Sequence, residues 1–161
     1  MIRGVTARYR ELCAKVDAFF ERALAANRAE MRCGPGCSDC CRTEPSVTGV
    51  EAAAIREAVP AEVRATLLAR PPTPERCMAL EEDGRCAIYT ARPLICRSHG
   101  LPIRMGGLIS SCELNFRKRG PAAADPASIL DQQTLSLMLL AVDREHGAAP
   151  GERIDLRAAL A

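Results

Sequence analysis

Cys33-Gly34-Pro35-Gly36-Cys37-Ser38-Asp39-Cys40-Cys41-Arg42 places four thiols within nine residues, in the spacing CxxxCxxCC. The Gly, Pro, Ser and Asp residues between them favour turns over helix or strand. Turn backbone lets side chains two to four positions apart converge on one point, as a metal centre requires. Catalytic alternatives are scarce, because the chain contains only two histidines, His99 and His146, and no Ser–His–Asp set can be assembled.

N-terminal to this stretch, Val5, Tyr9, Leu12, Val16, Phe19, Phe20 and Leu24 recur at three- and four-residue steps. That periodicity predicts an amphipathic helix from about Thr6 to Met31, stopped by Gly34-Pro35-Gly36. Cys13 lies beside the stripe, far from the other thiols, and reads as a small buried apolar residue and not as a ligand.

C-terminal to it, Thr48 and Glu51 form a capping-box pattern that starts a helix running to about Val59. Pro60 opens another helix ending near Arg70, and Pro71-Pro72-Thr73-Pro74 is a stiff connector. Cys77 and Cys86 flank an Asp83-Gly84 turn, which predicts a hairpin that brings the two thiols together. Pro93 opens a helical turn carrying Cys96 and Arg97. A second hairpin is expected around Gly106-Gly107, with Cys112 following it. A small-residue linker spans Gly120 to Pro126. Beyond it come a helix from about Asp131 to Glu145, ended by His146 and Gly147, and a short tail helix capped by Asp155.

These segments define a mainly helical α+β fold: one metal-stapled domain with one or two short hairpins and long terminal helices. Within residues 1–161, residues 1–31 are the N-terminal helix, 32–116 the cysteine-cluster core and 117–161 the C-terminal helical segment. The core is expected to be thin, because 161 residues include two Tyr, three Phe and no Trp, and aromatics contribute the largest burial per residue.

Charge excludes little and favours nothing exotic. The formal net charge of +2 gives no bias toward nucleic acid, and no aromatic interleaving supports base stacking. The N-terminus lacks the apolar run of a secretory signal, and Leu135 to Val142 is far too short to span a bilayer. A cytoplasmic, membrane-free chain is the expectation. In that reducing compartment nine cysteines, an odd number, point to metal ions as partners and away from disulfides.

Setting Cys13 aside leaves Cys33, Cys37, Cys40, Cys41, Cys77, Cys86, Cys96 and Cys112. Soft thiolates select zinc, iron–sulfur clusters or copper(I) over magnesium or calcium. Eight thiolates make two closed tetrahedral sets, with zinc as the first expectation and iron or an iron–sulfur cluster as the alternative. Adjacent side chains tend to diverge from a trans peptide, so Cys40 and Cys41 are expected to serve different centres, or one of them to be free. Cys33, Cys37 and Cys40 would anchor one centre, and Cys41 would reach the other. Arg32, Arg42, Arg85, Arg92 and Arg97 are candidates to offset the thiolate charge. His99 is a surplus ligand by count.

The spacing CxxxCxxC also holds the cluster of radical S-adenosylmethionine enzymes. Those need a large α/β barrel, and this chain has too few residues and no βα alternation. Closed four-cysteine sites also leave no open position for water, which speaks against hydrolytic zinc chemistry. Three roles remain: structural zinc presenting a surface to a protein partner, electron transfer or redox chemistry on iron, and storage or delivery of an ion.

The set of Cys33-xxx-Cys37-xx-Cys40-Cys41, Cys77, Gly84-Arg85-Cys86-Ala87-Ile88-Tyr89, Arg92-Pro93-Leu94-Ile95-Cys96-Arg97 and Cys112 resembles the YkgJ-type cysteine-cluster family, a zinc- or iron-chelating domain. The resemblance covers roughly Cys33 to Phe116 and implies metal chelation by the shared cysteines. A related cysteine pattern occurs in flagellin lysine methylases, but no segment here resembles a site for S-adenosylmethionine.

Overall fold

A computed structural model of the protein describes residues 2–149 and 151–161, with side chains from residue 6 onward. Half of the chain, 50%, is helical and 9% is in strands, so the architecture is the mainly helical α+β single domain expected from the sequence. Val5, assigned above to the apolar stripe, lies outside the described side chains.

Helix α1 spans Ile2–Ala26. Its buried stripe is Tyr9, Leu12, Cys13, Val16 and Ala23, which follows the predicted periodicity. The helix stops five residues earlier than Met31. Asn27 sends both its backbone N–H (3.0 Å) and its side-chain amide (2.9 Å) to the carbonyl of Ala23. A side chain that bonds the last turn in this way competes with continued helix, and the chain turns away before the Gly34-Pro35-Gly36 stop is reached.

Strand β1 (Ser46–Val47) leads into α2 (Gly49–Ala58), followed by α3 (Ala61–Leu68), which starts directly after Pro60. Thr48 and Glu51 form the predicted capping box. Glu51 does more than cap, because its carboxylate is buried at 1% exposure. One oxygen accepts from the Thr48 backbone at 2.9 Å and the Thr48 hydroxyl at 3.3 Å; the other accepts from the Leu94 N–H at 2.8 Å and the Tyr9 hydroxyl at 3.4 Å. A single carboxylate thus joins α1, α2 and the start of α4 (Leu94–Ser98).

The Gly106-Gly107 hairpin forms as expected from β2 (Ile103–Met105) and β3 (Leu108–Ser110). Two pairings were not readable locally. Strand β4 (Leu130–Asp131) joins β2 in parallel, and β5 (Ile154–Asp155) pairs with β1 in antiparallel, Val47 opposite Ile154. The expected small-residue linker is two short 3-10 turns, Pro121–Ala123 and Pro126–Ser128. Helix α5 (Gln132–His146) is capped by Asp131 and closed by Gly147 at φ 90°, and α6 (Leu156–Leu160) is capped by Asp155. Asp143 of α5, itself buried, accepts from the Val50 N–H at 2.8 Å and so fixes α5 to the first turn of α2.

The core is divided, in keeping with the scarcity of aromatics. One cluster joins α2, α3, α6 and the Cys77–Ile88 segment; a second joins α1, α2, Leu94 and α5; a third gathers Ala23, Met31, Leu101, Phe116 and Ala124. Cys77 belongs to the first cluster, with Cys41 and Cys86 packed against it.

Candidate metal centre

Five local structures carry the thiols. Cys33 follows the buried Met31, and the loop turns through Gly36 at φ 88° with the Cys37 N–H bonded to the Gly34 carbonyl at 3.1 Å. A 3-10 turn, Asp39–Arg42, then carries Cys40 and Cys41. The Cys77–Cys86 segment folds back on itself, with Leu80 bridged to Cys86, Ala87 bonded to Ala79 and Gly84 at φ 82°. It is a tight hairpin with one isolated bridge, without the two full strands the sequence predicts. The first turn of α4 presents Cys96, and Cys112 follows β3.

The loops are fastened to one another through backbone. The Cys77 N–H donates to the Cys41 carbonyl at 2.7 Å, and the Met78 N–H donates to the Glu44 carboxylate at 3.0 Å. The Asn115 N–H returns to the Cys112 carbonyl at 2.9 Å, closing a turn beside Cys33.

Electrostatics report which sulfurs are neighbours. Burial first, and then Cys77, Cys40, Cys86 and Cys41, push the Cys96 thiol up to about 12. Burial of the sulfur, and then Cys41 and Cys37, push the Cys40 thiol up to about 12, although that residue as a whole is exposed. Cys41 is raised by burial, with Cys77, Cys86 and Cys37 adding to the effect; Cys77 by burial, with Glu44, Cys86 and Cys40 adding; and Cys86 by burial, with Cys40 and Glu81 adding. Cys33 is raised by burial, with Cys37 and Cys112 adding to the effect and the Asn115 amide opposing it. Electrostatic influence thus links Cys40, Cys41, Cys77, Cys86 and Cys96 on one side and Cys33, Cys37 and Cys112 on the other. Cys37 acts on both, through Cys33 in one and through Cys40 and Cys41 in the other.

Cys40 and Cys41 sit side by side in the 3-10 turn, where Cys41 leaves helical geometry at φ −89° and ψ 16°. Cys13 is 5% exposed among Tyr9, Leu12 and Val16, as its apolar reading requires.

The donor set suits a thiophilic ion in kind, since thiols predominate in it, with the Glu44 carboxylate beside Cys77. Among the described residues, however, no three Cys, His, Asp or Glu side chains already stand as they would around a metal ion. Closing the set on an ion requires the loop side chains to move inward, so part of the binding energy is folding energy.

The arginines divide. Arg92 opposes the rise of the Cys86 thiol and stacks on Tyr89 at 3.8 Å. Arg97 bonds the carbonyls of Arg92 and Thr90 and pairs with Asp17 of α1, so it fastens the loop to the helix. Arg42 and Arg85 pair with Asp39 and Asp83 on the surface instead. The His99 imidazole is held below its usual range by the protein covering the ring, with Asp39 opposing.

Gly100, Asn115 and Glu44 were not nominated from the sequence; none carries a motif of its own. Gly100 sits at φ 96°, and a Cβ there would lie 2.4 Å from the Cys33 sulfur. Gly100→Ala is expected to displace that sulfur and to cost about 2 kcal/mol or more, from left-handed backbone strain and the close contact. A urea midpoint shifted by that amount checks it; an unchanged midpoint contradicts the packing described here.

The fold and its loops thus define a small helical protein with a thiol-rich centre held by turns. The model of the CxxCxxCC family, described as a "putative zinc- or iron-chelating domain", matches residues 32–113. The chain belongs to that family. No curated protein and no solved structure matches the chain, and among the described residues no helix is long and apolar enough to cross a membrane.

Proposed function

We propose that the chain chelates zinc through Cys33, Cys37, Cys40, Cys41, Cys77, Cys86, Cys96 and Cys112, and that the bound ions fasten its loops to its helices. What supports this reading is the match of the zinc- or iron-chelating family over residues 32–113, which spans all eight of these thiols, while the ninth, Cys13, is packed away in the α1 core. Two centres are the economical division. Cys41, Cys77, Cys86 and Cys96 supply one, and Cys33, Cys37 and Cys112 with Cys40 supply the other. The centre is structural, and the surface around it serves a protein partner.

Purification without oxygen, with elemental analysis for zinc, iron and labile sulfide, tests the proposal. Zinc near two ions per chain, in a colourless protein, is the expected outcome for two four-thiolate sites. A brown protein with labile sulfide replaces zinc by an iron–sulfur cluster, and a folded protein free of both metals overturns chelation altogether.

A further inference from the structure

The Cys33 sulfur is held by a side chain that lies beyond the matched family region. Asn115 is 4% exposed, and its amide is bonded on both sides. Its oxygen accepts from the Arg32 N–H at 2.7 Å, and its nitrogen donates to the Gly100 carbonyl at 2.7 Å and to the Cys33 sulfur at 3.2 Å. These partners leave the amide no alternative orientation. Turned over, it would set an oxygen against the Gly100 carbonyl and an N–H against the N–H of Arg32. One of the two Nδ2 protons is satisfied by Gly100, so the other is left for sulfur, and the sulfur must accept.

The surrounding backbone is arranged for this contact. Gly100 gives the sulfur room that no side chain would leave, since a Cβ there would lie 2.4 Å from the sulfur and 3.3 Å from the Asn115 nitrogen. Phe116, the next residue, is held at φ 54°, an unfavourable conformation for a bulky side chain. It is retained by full burial, at 1% exposure, and by donation of its N–H to the Glu30 carbonyl at 2.9 Å. Two unusual backbone conformations thus flank one N–H···S contact.

We infer that Asn115 is a positioning residue of the metal centre: through Nδ2–H···Sγ it holds Cys33 as a ligand sulfur, keeps it seated against Gly100 and withdraws charge from it when an ion is bound. The inference rests on the proposal that Cys33 is a ligand. An N–H donor of this kind orients a ligating sulfur and tunes it, as partners outside the ligand set commonly do, and the bond strengthens as negative charge accumulates on sulfur.

The direct test is NMR of the full chain loaded with cadmium-113. Scalar coupling between the metal nucleus and one Asn115 side-chain amide proton, transmitted across the hydrogen bond and the sulfur, is the expected result. Bound cadmium with no coupling to either Asn115 proton overturns the inference and leaves chelation standing. A chain that takes up no cadmium overturns both. Asn115→Asp provides the second arm. It is close in shape but places an acceptor against sulfur, and it is expected to weaken the site containing Cys33 by about 10- to 100-fold in chelator competition while the other site keeps its affinity. Equal affinities in a folded variant contradict the assignment; where the variant does not fold, the cadmium experiment on the natural chain decides.

Discussion

Glu51→Ala should be among the most destabilising single substitutions in this chain, costing about 3–5 kcal/mol. The carboxylate is fully buried and is the acceptor for the Thr48 backbone, the Thr48 hydroxyl, the Leu94 backbone and the Tyr9 hydroxyl. Alanine leaves those donors without their acceptor in a place water does not reach, and each such group costs about 1–3 kcal/mol before relaxation. Glu51→Gln keeps one acceptor oxygen and should lose about half as much. The measurement is the urea midpoint of each variant at fixed metal content. A loss under about 1 kcal/mol for alanine would show that Thr48 and Leu94 find other partners, and that the α1–α2–α4 junction is not organised by this residue.

The second large effect concerns metal content. Cys37→Ser and Cys96→Ser should each remove about one ion per chain, since a four-thiolate site that loses a ligand loses its closed shell. Both should also destabilise the fold, because the binding energy is folding energy. Cys13→Ser is the control. It should keep the full complement of ions while costing about 1–2 kcal/mol, from a hydroxyl placed in the apolar α1 core. Elemental analysis beside a denaturation curve reads both quantities. Retained metal in Cys37→Ser and Cys96→Ser, with loss in Cys13→Ser, would invert the assignment of the thiols.

Much of this architecture was legible locally. The apolar stripe of α1, the Thr48–Glu51 cap, the Asp155 cap and the Gly106-Gly107 hairpin are written in residues a few positions apart, and the structure contains each of them. What was hidden depends on partners distant in the chain. Nothing near Glu51 announces Tyr9 or Leu94, which lie 42 and 43 positions away. Nothing near Ser46-Val47 announces Ile154-Asp155. The stop at Ala26 was missed because an asparagine bonding its own last turn is a weaker signal than Gly-Pro-Gly.

The candidate centre divides in the same way. Cysteine spacing marks the thiols, and the Asp-Gly turn forms, with Leu80 opposite Cys86. Asn115 escaped because its meaning comes from Arg32 and Gly100, 83 and 15 positions away.

The most direct measurement is X-ray absorption at the edge of the bound metal in protein purified without oxygen. Ligation by these cysteines predicts a first shell of sulfur alone, at about 2.3 Å for zinc. A shell of nitrogen and oxygen near about 2.0–2.1 Å would contradict it.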